Sequence, residues 1–235
     1  MRQPISSKSF YDITSKSYQN TSFERAKYLS AIDLIVTQKM SKIEELKLLE
    51  VGAGNGIRTR TIISGLTYKK LLLIEESEVF ASELLKTFDK TEVHQGSVED
   101  YEHSDVYFNM AFSLWNVIGH VPEPLTYLKS INKLLENNGI FIFDFNNRLN
   151  IKEYGFYNVA RNWLRGLLSG DAGQFTLNKD GVSTPVYIYQ LAEIKSLCQK
   201  SGFVVEQKVY VNYETGNIEG NQLSGQILLI CRKVT

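Results

Sequence analysis

The chain has few of the residues that mark metal-binding or disulfide-rich proteins. Two cysteines and three histidines occur in 235 residues, and none of them stands at the spacing of a zinc site. Cys198 falls in a helical pattern and Cys231 in a strand pattern. We therefore expect two buried thiols and no metal site.

Long apolar runs and net charge are missing as well. Residues 1–10 lack the apolar core of a signal peptide, and no run reaches the roughly 18 apolar residues of a membrane span. The 26 lysines and arginines balance 26 aspartates and glutamates, whereas nucleic-acid-binding proteins usually carry a basic surface. We expect a soluble cytoplasmic protein with no membrane segment, and the charge balance argues against a nucleic-acid partner.

The most informative stretch is a glycine-rich turn between an apolar strand and a helix. The strand is predicted at 46–51 and the helix at Ile57–Ile63. Gly52, Gly54 and Gly56 occupy alternate positions between them. Side chains at such a turn would collide with a ligand that approaches the backbone closely. The pattern therefore predicts a ligand site at this turn.

A carboxylate follows the next strand at a suitable spacing. The apolar run 70–74 ends in Glu75, which stands where a carboxylate would accept hydrogen bonds from both ribose hydroxyls of a nucleoside. A dinucleotide-binding unit is the competing interpretation. That unit requires G-x-G-x-x-G, and here the last glycine comes one residue early. An α/β nucleoside-binding domain is what these residues predict.

The turn resembles motif I of the class I S-adenosylmethionine (SAM)-dependent methyltransferases, an acidic residue followed by x-G-x-G-x-G. Glu50 and the three glycines fit this motif. The resemblance implies a Rossmann-like fold whose seven-stranded, mostly parallel sheet ends in an antiparallel hairpin, with helices on both faces. It also implies SAM as cofactor. The cofactor-binding residues that it implies are Tyr11, Tyr18, Glu50, Gly52, Ala53, Gly54, Gly56, Glu75, Glu76, Ser97, Val98, Leu114 and Trp115.

Three parts of this set carry alternatives. Tyr11 and Tyr18 resemble the tyrosines that close over the cofactor and substrate, but they could equally pack an N-terminal arm against the domain. Ser97 replaces the aspartate that commonly pairs with adenine in the family. Its hydroxyl lacks that charge, so the backbone of Val98 is the alternative contact.

A second informative stretch, Leu114–Val121, follows the fourth strand and should lie at the carboxyl edge of the sheet, where ligands bind. It resembles the segment beside the acceptor in methyltransferases of small amines and amino sugars. His120 is the candidate catalytic base, with packing as its alternative role. Asn116, Asp144 and Asn146 are the other candidates for substrate binding, although the last two could belong to a solvated turn.

The resemblance implies one methyltransferase domain, 1–235, with an N-terminal helical cap at 1–45 and an inserted substrate-side element at 149–188. No N-P-P-Y tetrad follows the fourth strand, so a small-molecule acceptor is favoured, first an amine and second a hydroxyl. An RNA or protein methyltransferase and a non-catalytic cofactor-binding protein remain open. The insert could instead serve a homodimer.

Apolar spacing predicts the remaining elements. Strands are expected at 46–51, 70–74, 92–95, 106–113, 140–145, 203–213 and 224–231. Helices are expected from Ser22, which would act as N-cap, and at 57–63, 79–88, 124–135, 156–168 and 191–200. A short hairpin is expected from 174–177 and 186–189.

Overall fold

A computed structural model describes residues 3–101, 107–169 and 173–234 of the chain. The helices in these ranges are α1 (Ser7–Glu24), α2 (Ala26–Met40), α3 (Ile57–Ile63), α4 (Glu78–Leu84), α5 (Pro124–Leu134), α6 (Ile151–Tyr154), α7 (Phe156–Ser169) and α8 (Leu191–Lys200). The strands are β1 (Leu46–Val51), β2 (Tyr68–Glu75), β3 (Val93–Gln95), β4 (Phe108–Ser113), β5 (Leu135–Phe145), β6 (Gln174–Lys179), β7 (Val182–Tyr187), β8 (Phe203–Val211), β9 (Ile218–Glu219) and β10 (Gln226–Lys233).

The main sheet has the order β3-β2-β1-β4-β5-β10-β8-β9. Its first five strands are parallel, and β10 runs antiparallel to both β5 and β8. The expected Rossmann-like sheet with a terminal antiparallel hairpin is therefore confirmed. The expected count of seven strands is wrong by one, because β9 in the glycine- and asparagine-rich linker folds back and pairs with the end of β8.

The core lies on both faces of the sheet, because its central strands are apolar on both sides. On one face, α5 and α8 pack against side chains such as Leu49 and Phe141. On the other face, α2 packs against Leu48 and Ile142. Cys198 and Cys231 are buried free thiols on the first face, as expected, with their sulfur atoms 4.0 Å apart.

The N-terminal segment differs from expectation. Ser22 does not start a helix, because it lies inside α1, and the break between the two helices falls at Arg25. The polar composition of α1 hides it, since few apolar side chains mark its packed face. Phe10 and Thr14 are buried there, and Lys8 forms an ion pair with Glu78 at 2.8 Å. Contacts with the rest of the protein thus hold this helix in place.

The hairpin expected between the fifth strand and the last helix is present as β6 and β7, in antiparallel pairing. It lies against α1 and the residues just before it. The amide of Ile5, which precedes α1, donates to the carbonyl of Ser183 at 2.8 Å, and the Ser17 hydroxyl in α1 donates to Asp180 at 2.5 Å. In the described ranges, no helix is long and apolar enough to cross a membrane. The start of the expected strand at 106 lies outside those ranges.

Candidate active site

A cavity of about 300 Å³ opens at the carboxyl ends of β1, β2 and β4. This is the edge where open α/β sheets bind their ligands, because loops and helix starts converge there. The glycine turn and β2 form one wall, and the segment after β4 forms another. Residues of α1 and β7 complete the lining. The predicted ligand site therefore coincides with a cavity that is partly open to solvent.

The three glycines of the turn all have left-handed backbones, but they differ in the space around the position of a Cβ atom. A Cβ atom on Gly52 would meet Val117 at 2.6 Å, and one on Gly56 would meet Leu84 at 2.6 Å. A Cβ atom on Gly54 would meet nothing within 4 Å. Gly54 therefore leaves open space at the cavity wall, whereas Gly56 permits close packing of the turn on α4.

Glu75 closes the glycine turn from the end of β2. One carboxylate oxygen accepts the amide of Gly54 at 2.8 Å, and the other accepts the amide of Ser77 at 2.8 Å. Burial raises the pKa of Glu75 to about 7, although both amide bonds oppose this shift. Each oxygen keeps a further lone pair, so the carboxylate can accept two more donors.

Glu50 and Ala53 do not line the cavity, and neither does Gly56. Glu50 is 5% exposed, and burial raises its pKa to about 8. Its position at the end of β1 places it beneath the turn. These three predicted cofactor residues therefore lie behind the part of the turn that lines the cavity.

The cofactor candidate Glu76 and the two adenine-contact candidates, Ser97 and Val98, all line the cavity. The hydroxyl of Ser97 donates to Asp100 at 2.8 Å and accepts the amide of Asp100 at 3.2 Å. Since a local turn already uses this hydroxyl, Val98 is the better placed of the two alternatives.

The segment after β4 has an unusual backbone. Trp115 and Asn116 both have positive φ, at 70° and 58°, a conformation that costs non-glycine residues energy. Leu114 and Trp115 line the cavity. One Asp144 oxygen accepts the amides of both Trp115 and Asn116, and the other accepts the Tyr28 hydroxyl at 2.5 Å. The buried carboxylate of Asp144 thus holds the strained pair.

Three of the residues predicted to bind substrate are therefore not at the cavity wall. Asp144 is 1% exposed and bonds to the backbone of the loop. Asn116 is buried, and its side-chain oxygen accepts the amide of Asn146 at 2.9 Å. All three residues lie at the expected sheet edge, but the side-chain oxygens of Asp144 and Asn116 accept backbone amides.

His120 lies at the cavity wall, and its Nε2 is hydrogen-bonded to the Tyr11 hydroxyl at 3.1 Å. Burial lowers the pKa of His120 to about 4, so its ring is neutral near pH 7. Its Nδ1 is buried and has no partner among the described residues. Tyr11 also lines the cavity, and its role as a cofactor residue stays a prediction. The side chain of Tyr18 lies outside the described part of the chain.

Several lining residues escape sequence reasoning. Ser6, Ser7 and Lys8 come from the start of α1, and Thr184, Pro185 and Tyr187 come from β7. α1 is anchored over the site by Asp12, which accepts the Ser77 hydroxyl at 2.6 Å. No motif signals these positions, because only the packing of α1 against β7 brings them to the cavity.

A family model described as a methyltransferase domain matches residues 22–208. The chain belongs to this methyltransferase family. Among curated relatives, a ubiquinone biosynthesis O-methyltransferase of Vibrio vulnificus is 26% identical over 160 residues, covering 66% of this chain and 64% of that protein. The chain thus spans less than two thirds of the length of that relative.

Solved structures of methyltransferases share the fold. A SAM-dependent methyltransferase from Thermotoga maritima, named a possible histamine N-methyltransferase, has a TM-score of 0.64 at 17% identity and covers 95% of this chain and 98% of its own. A SAM-bound amino pentose methyltransferase from Micromonospora echinaspora has a TM-score of 0.61 at 11% identity, with 93% and 97% covered. At these identities the likeness shows the fold alone.

The residues at the cavity fit SAM, the cofactor that the resemblance of the glycine turn implies. Open space over Gly54 allows a ligand to approach the turn. The lone pairs left on Glu75 suit the two hydroxyls of a ribose. Leu114 and Val98 add apolar surface beside them. When bound, SAM supplies a methyl group already activated by its attachment to a sulfonium.

Proposed function

We propose that this methyltransferase transfers the methyl group of SAM to the nitrogen of a small-molecule amine. The state of His120 carries the proposal: it is a neutral, weakly basic imidazole at the cavity wall, bonded to Tyr11. A hydroxyl acceptor must lose its proton as its oxygen attacks, and a base with so low a pKa gives little driving force. A neutral amine attacks through its own lone pair and needs no such base.

The residues around the cavity support a small acceptor. Residues of α1 and β7 line the cavity beside the sheet edge, and α1 packs against β7. An RNA or protein acceptor would require an open approach to this edge. The neutral charge of the chain also argues against RNA.

Within this proposal, SAM is held by residues of the glycine turn, the ends of β2 and β3, and the segment after β4. Glu75 would bind the ribose, Val98 would contact the adenine, and Trp115 would contact the methionine end. Tyr11 would cover the methyl group from α1. The protein's task is then alignment of donor and acceptor, which can contribute about 7–11 kcal/mol to a reaction of two bound partners.

The helical cap at 1–45 and the insert at 149–188 are proposed to be the acceptor-side parts of one domain. The two segments meet over the cavity through α1 and β7. Within the described part of the insert, β7 alone lines the cavity, so α6 and α7 are available for the alternative role of the insert in a homodimer.

O-methylation is the second candidate. Relatives named ubiquinone biosynthesis O-methyltransferases favour it, whereas the names of two structural neighbours, a possible histamine N-methyltransferase and an amino pentose methyltransferase, favour an amine. Between these two acceptors, the weakly basic ring of His120 favours the amine.

The pH dependence of turnover tests the proposal. Wild-type protein and SAM are assayed with several amines of different pKa and with matched alcohols. We expect kcat/KM to rise with pH up to the pKa of each free amine, so that the inflection moves with the acceptor. Turnover of alcohols alone, or a fixed inflection near the ordinary histidine pKa of about 6.5 for every acceptor, would contradict it.

A further inference from the structure

The side chain of Trp115 is bonded to a residue outside the cavity. Its indole Nε1 donates to the hydroxyl of Tyr213 at 3.3 Å. Trp115 lines the cavity, whereas Tyr213, which comes shortly after β8, does not. Buried indole N–H groups usually find a hydrogen-bond partner, and this partner belongs to the C-terminal part of the chain. Tyr213 therefore holds the Trp115 ring from behind the cavity wall.

Tyr213 is itself held on two sides. The ring of Tyr28 packs edge to face against it, with 4.8 Å between the ring centroids. The guanidinium carbon of Arg25 lies 4.1 Å from the centroid of the Tyr213 ring, within the range of a cation–π contact. Arg25 stands at the break between α1 and α2, so the N-terminal segment helps to fix this tyrosine in place.

The neighbours of Tyr213 also hold the backbone of Trp115. The hydroxyl of Tyr28 donates to Asp144, and the other oxygen of that carboxylate accepts the two amides of the Trp115–Asn116 segment. Trp115 is therefore restrained twice, at its backbone by Asp144 and at its indole ring by Tyr213. A left-handed backbone persists at a non-glycine residue only where its surroundings impose it, and such residues cluster at functional sites. The double restraint indicates that the orientation of Trp115 matters at the cavity.

We propose that Tyr213 is a positioning residue for SAM: through its hydroxyl, it fixes the orientation in which the indole ring of Trp115 meets the cofactor. This inference rests on the proposed function, in which Trp115 contacts the methionine end of SAM. Tyr213 touches neither the cofactor nor the acceptor and acts only through Trp115. Without the bond, the indole ring gains rotational freedom, and SAM binding must remove that freedom again at a cost in affinity.

Calorimetric titration of the purified protein with SAM tests this role in Tyr213→Phe. The substitution removes only the hydroxyl and keeps the ring that packs against Tyr28 and Arg25. We expect the Kd for SAM to rise about tenfold, the size of effect that one hydrogen bond gives. Tyr154→Phe is the matched control, because the Tyr154 hydroxyl accepts the side-chain amide of Gln226 at 3.1 Å and Tyr154 does not line the cavity. The control should bind SAM as wild type does, and an unchanged Kd in Tyr213→Phe would overturn the inference.

A double-mutant cycle shows whether Tyr213 acts through Trp115. Trp115→Phe removes the indole N–H, so the addition of Tyr213→Phe to this variant should raise the Kd for SAM no further. A tyrosine with a purely structural role would instead raise the Kd by the same factor in both backgrounds. That result would exclude positioning through Trp115.

Fluorescence reports on the indole ring itself. The chain has two tryptophans, and the second, Trp163, is 52% exposed on α7 and does not line the cavity. In a Trp163→Phe background, tryptophan emission therefore comes from Trp115 alone. We expect Tyr213→Phe to lower the emission anisotropy of the ligand-free protein, because the ring has lost a restraint, and we expect SAM to raise it again. Equal anisotropy with and without the Tyr213 hydroxyl would contradict the proposed role.

Failure of the proposed function gives different results. If the protein binds SAM but Trp115→Phe and Trp115→Leu both leave the Kd unchanged, Trp115 does not contact the cofactor, and the proposed placement of SAM fails together with this inference. Absence of SAM binding by the wild-type protein would refute both as well. If Trp115→Leu weakens SAM binding and Tyr213→Phe does not, only the role of Tyr213 is refuted. Turnover of alcohols alone would refute the amine acceptor and leave the role of Tyr213 standing.

Discussion

Replacing Asp144 should loosen the Trp115–Asn116 segment and weaken cofactor binding from outside the cavity. Asp144→Ala removes the acceptor for two backbone amides and for the hydroxyl of Tyr28. Three donors left unpaired at about 1–3 kcal/mol each give a loss of roughly 3–9 kcal/mol. Domains are usually stable by about 5–15 kcal/mol, so this variant should fold marginally or not at all.

Asp144→Asn is the more informative change because it keeps the shape and one oxygen. The two loop amides can still donate to that oxygen, but each bond loses its charge assistance, which is worth about 1 kcal/mol. The gain from removing a buried charge offsets part of this loss, since burial raises the pKa of Asp144. We expect a net destabilisation of about 1–2 kcal/mol, measured by denaturant unfolding.

Cofactor binding gives the decisive readout. With weaker bonds to Asp144, Trp115 and Asn116 can relax from their left-handed backbone, and Trp115 lines the cavity. We expect the Kd for SAM, measured by calorimetry, to rise about tenfold in Asp144→Asn, equivalent to about 1.4 kcal/mol. Tyr28→Phe is the matched control, since it removes a bond to the same carboxylate but leaves the loop bonds. Equal SAM affinity in wild type and Asp144→Asn would refute this reasoning.

Three other outcomes follow from the site. Gly54→Arg should abolish SAM binding in a folded protein, whereas Gly65→Arg, also at positive φ with open space, should bind normally; calorimetric binding by the first would remove the turn from the site. Burial raises the folded-state pKa of Glu50 to about 8 and of Glu75 to about 7, against 4.5 unfolded. The stabilisation from these two protonated carboxyl groups should therefore be fully present below about pH 4.5 in the ligand-free protein and be lost as the pH rises towards 8. Each group lowers the free energy of unfolding by about 1.4 kcal/mol per pH unit, Glu75 up to about pH 7 and Glu50 up to about pH 8. A denaturation midpoint that rises from pH 5 to 8 would contradict this. His120→Ala should lower acceptor kcat/KM about tenfold with SAM affinity unchanged, and an equal loss of both would make it structural.

The sequence predicted the parts of the fold that local pattern controls. The turn from Gly52 to Gly56 and the acidic end of β2 are short-range signals, because backbone conformation and strand burial depend on adjacent residues. The helices α3 and α8 appear at their expected bounds for the same reason. The resemblance implied a helical cap at 1–45, but apolar spacing alone predicted no helix before Ser22, because the polar composition of α1 gives no apolar stripe.

The site was harder to predict than the fold because the direction of a side chain depends on packing. Asp144 stands at the expected sheet edge, yet its carboxylate turns to the amides of the Trp115–Asn116 loop. No sequence rule predicts this orientation of the carboxylate, since it depends on the strained Trp115–Asn116 loop, which lies beside Asp144 only when β4 and β5 are paired.

Thr184 is a second residue whose surroundings the sequence does not predict. In the sequence it is one threonine in a short strand, and threonine is common in strands. Its complete burial arises only when β7 packs against α1 and against the turn that ends at His120. The glycine turn can be predicted from a contiguous sequence motif, because all its residues are adjacent in the chain. The cavity residues from α1 and β7 come instead from elements distant in sequence, so only the packing of those elements brings them together.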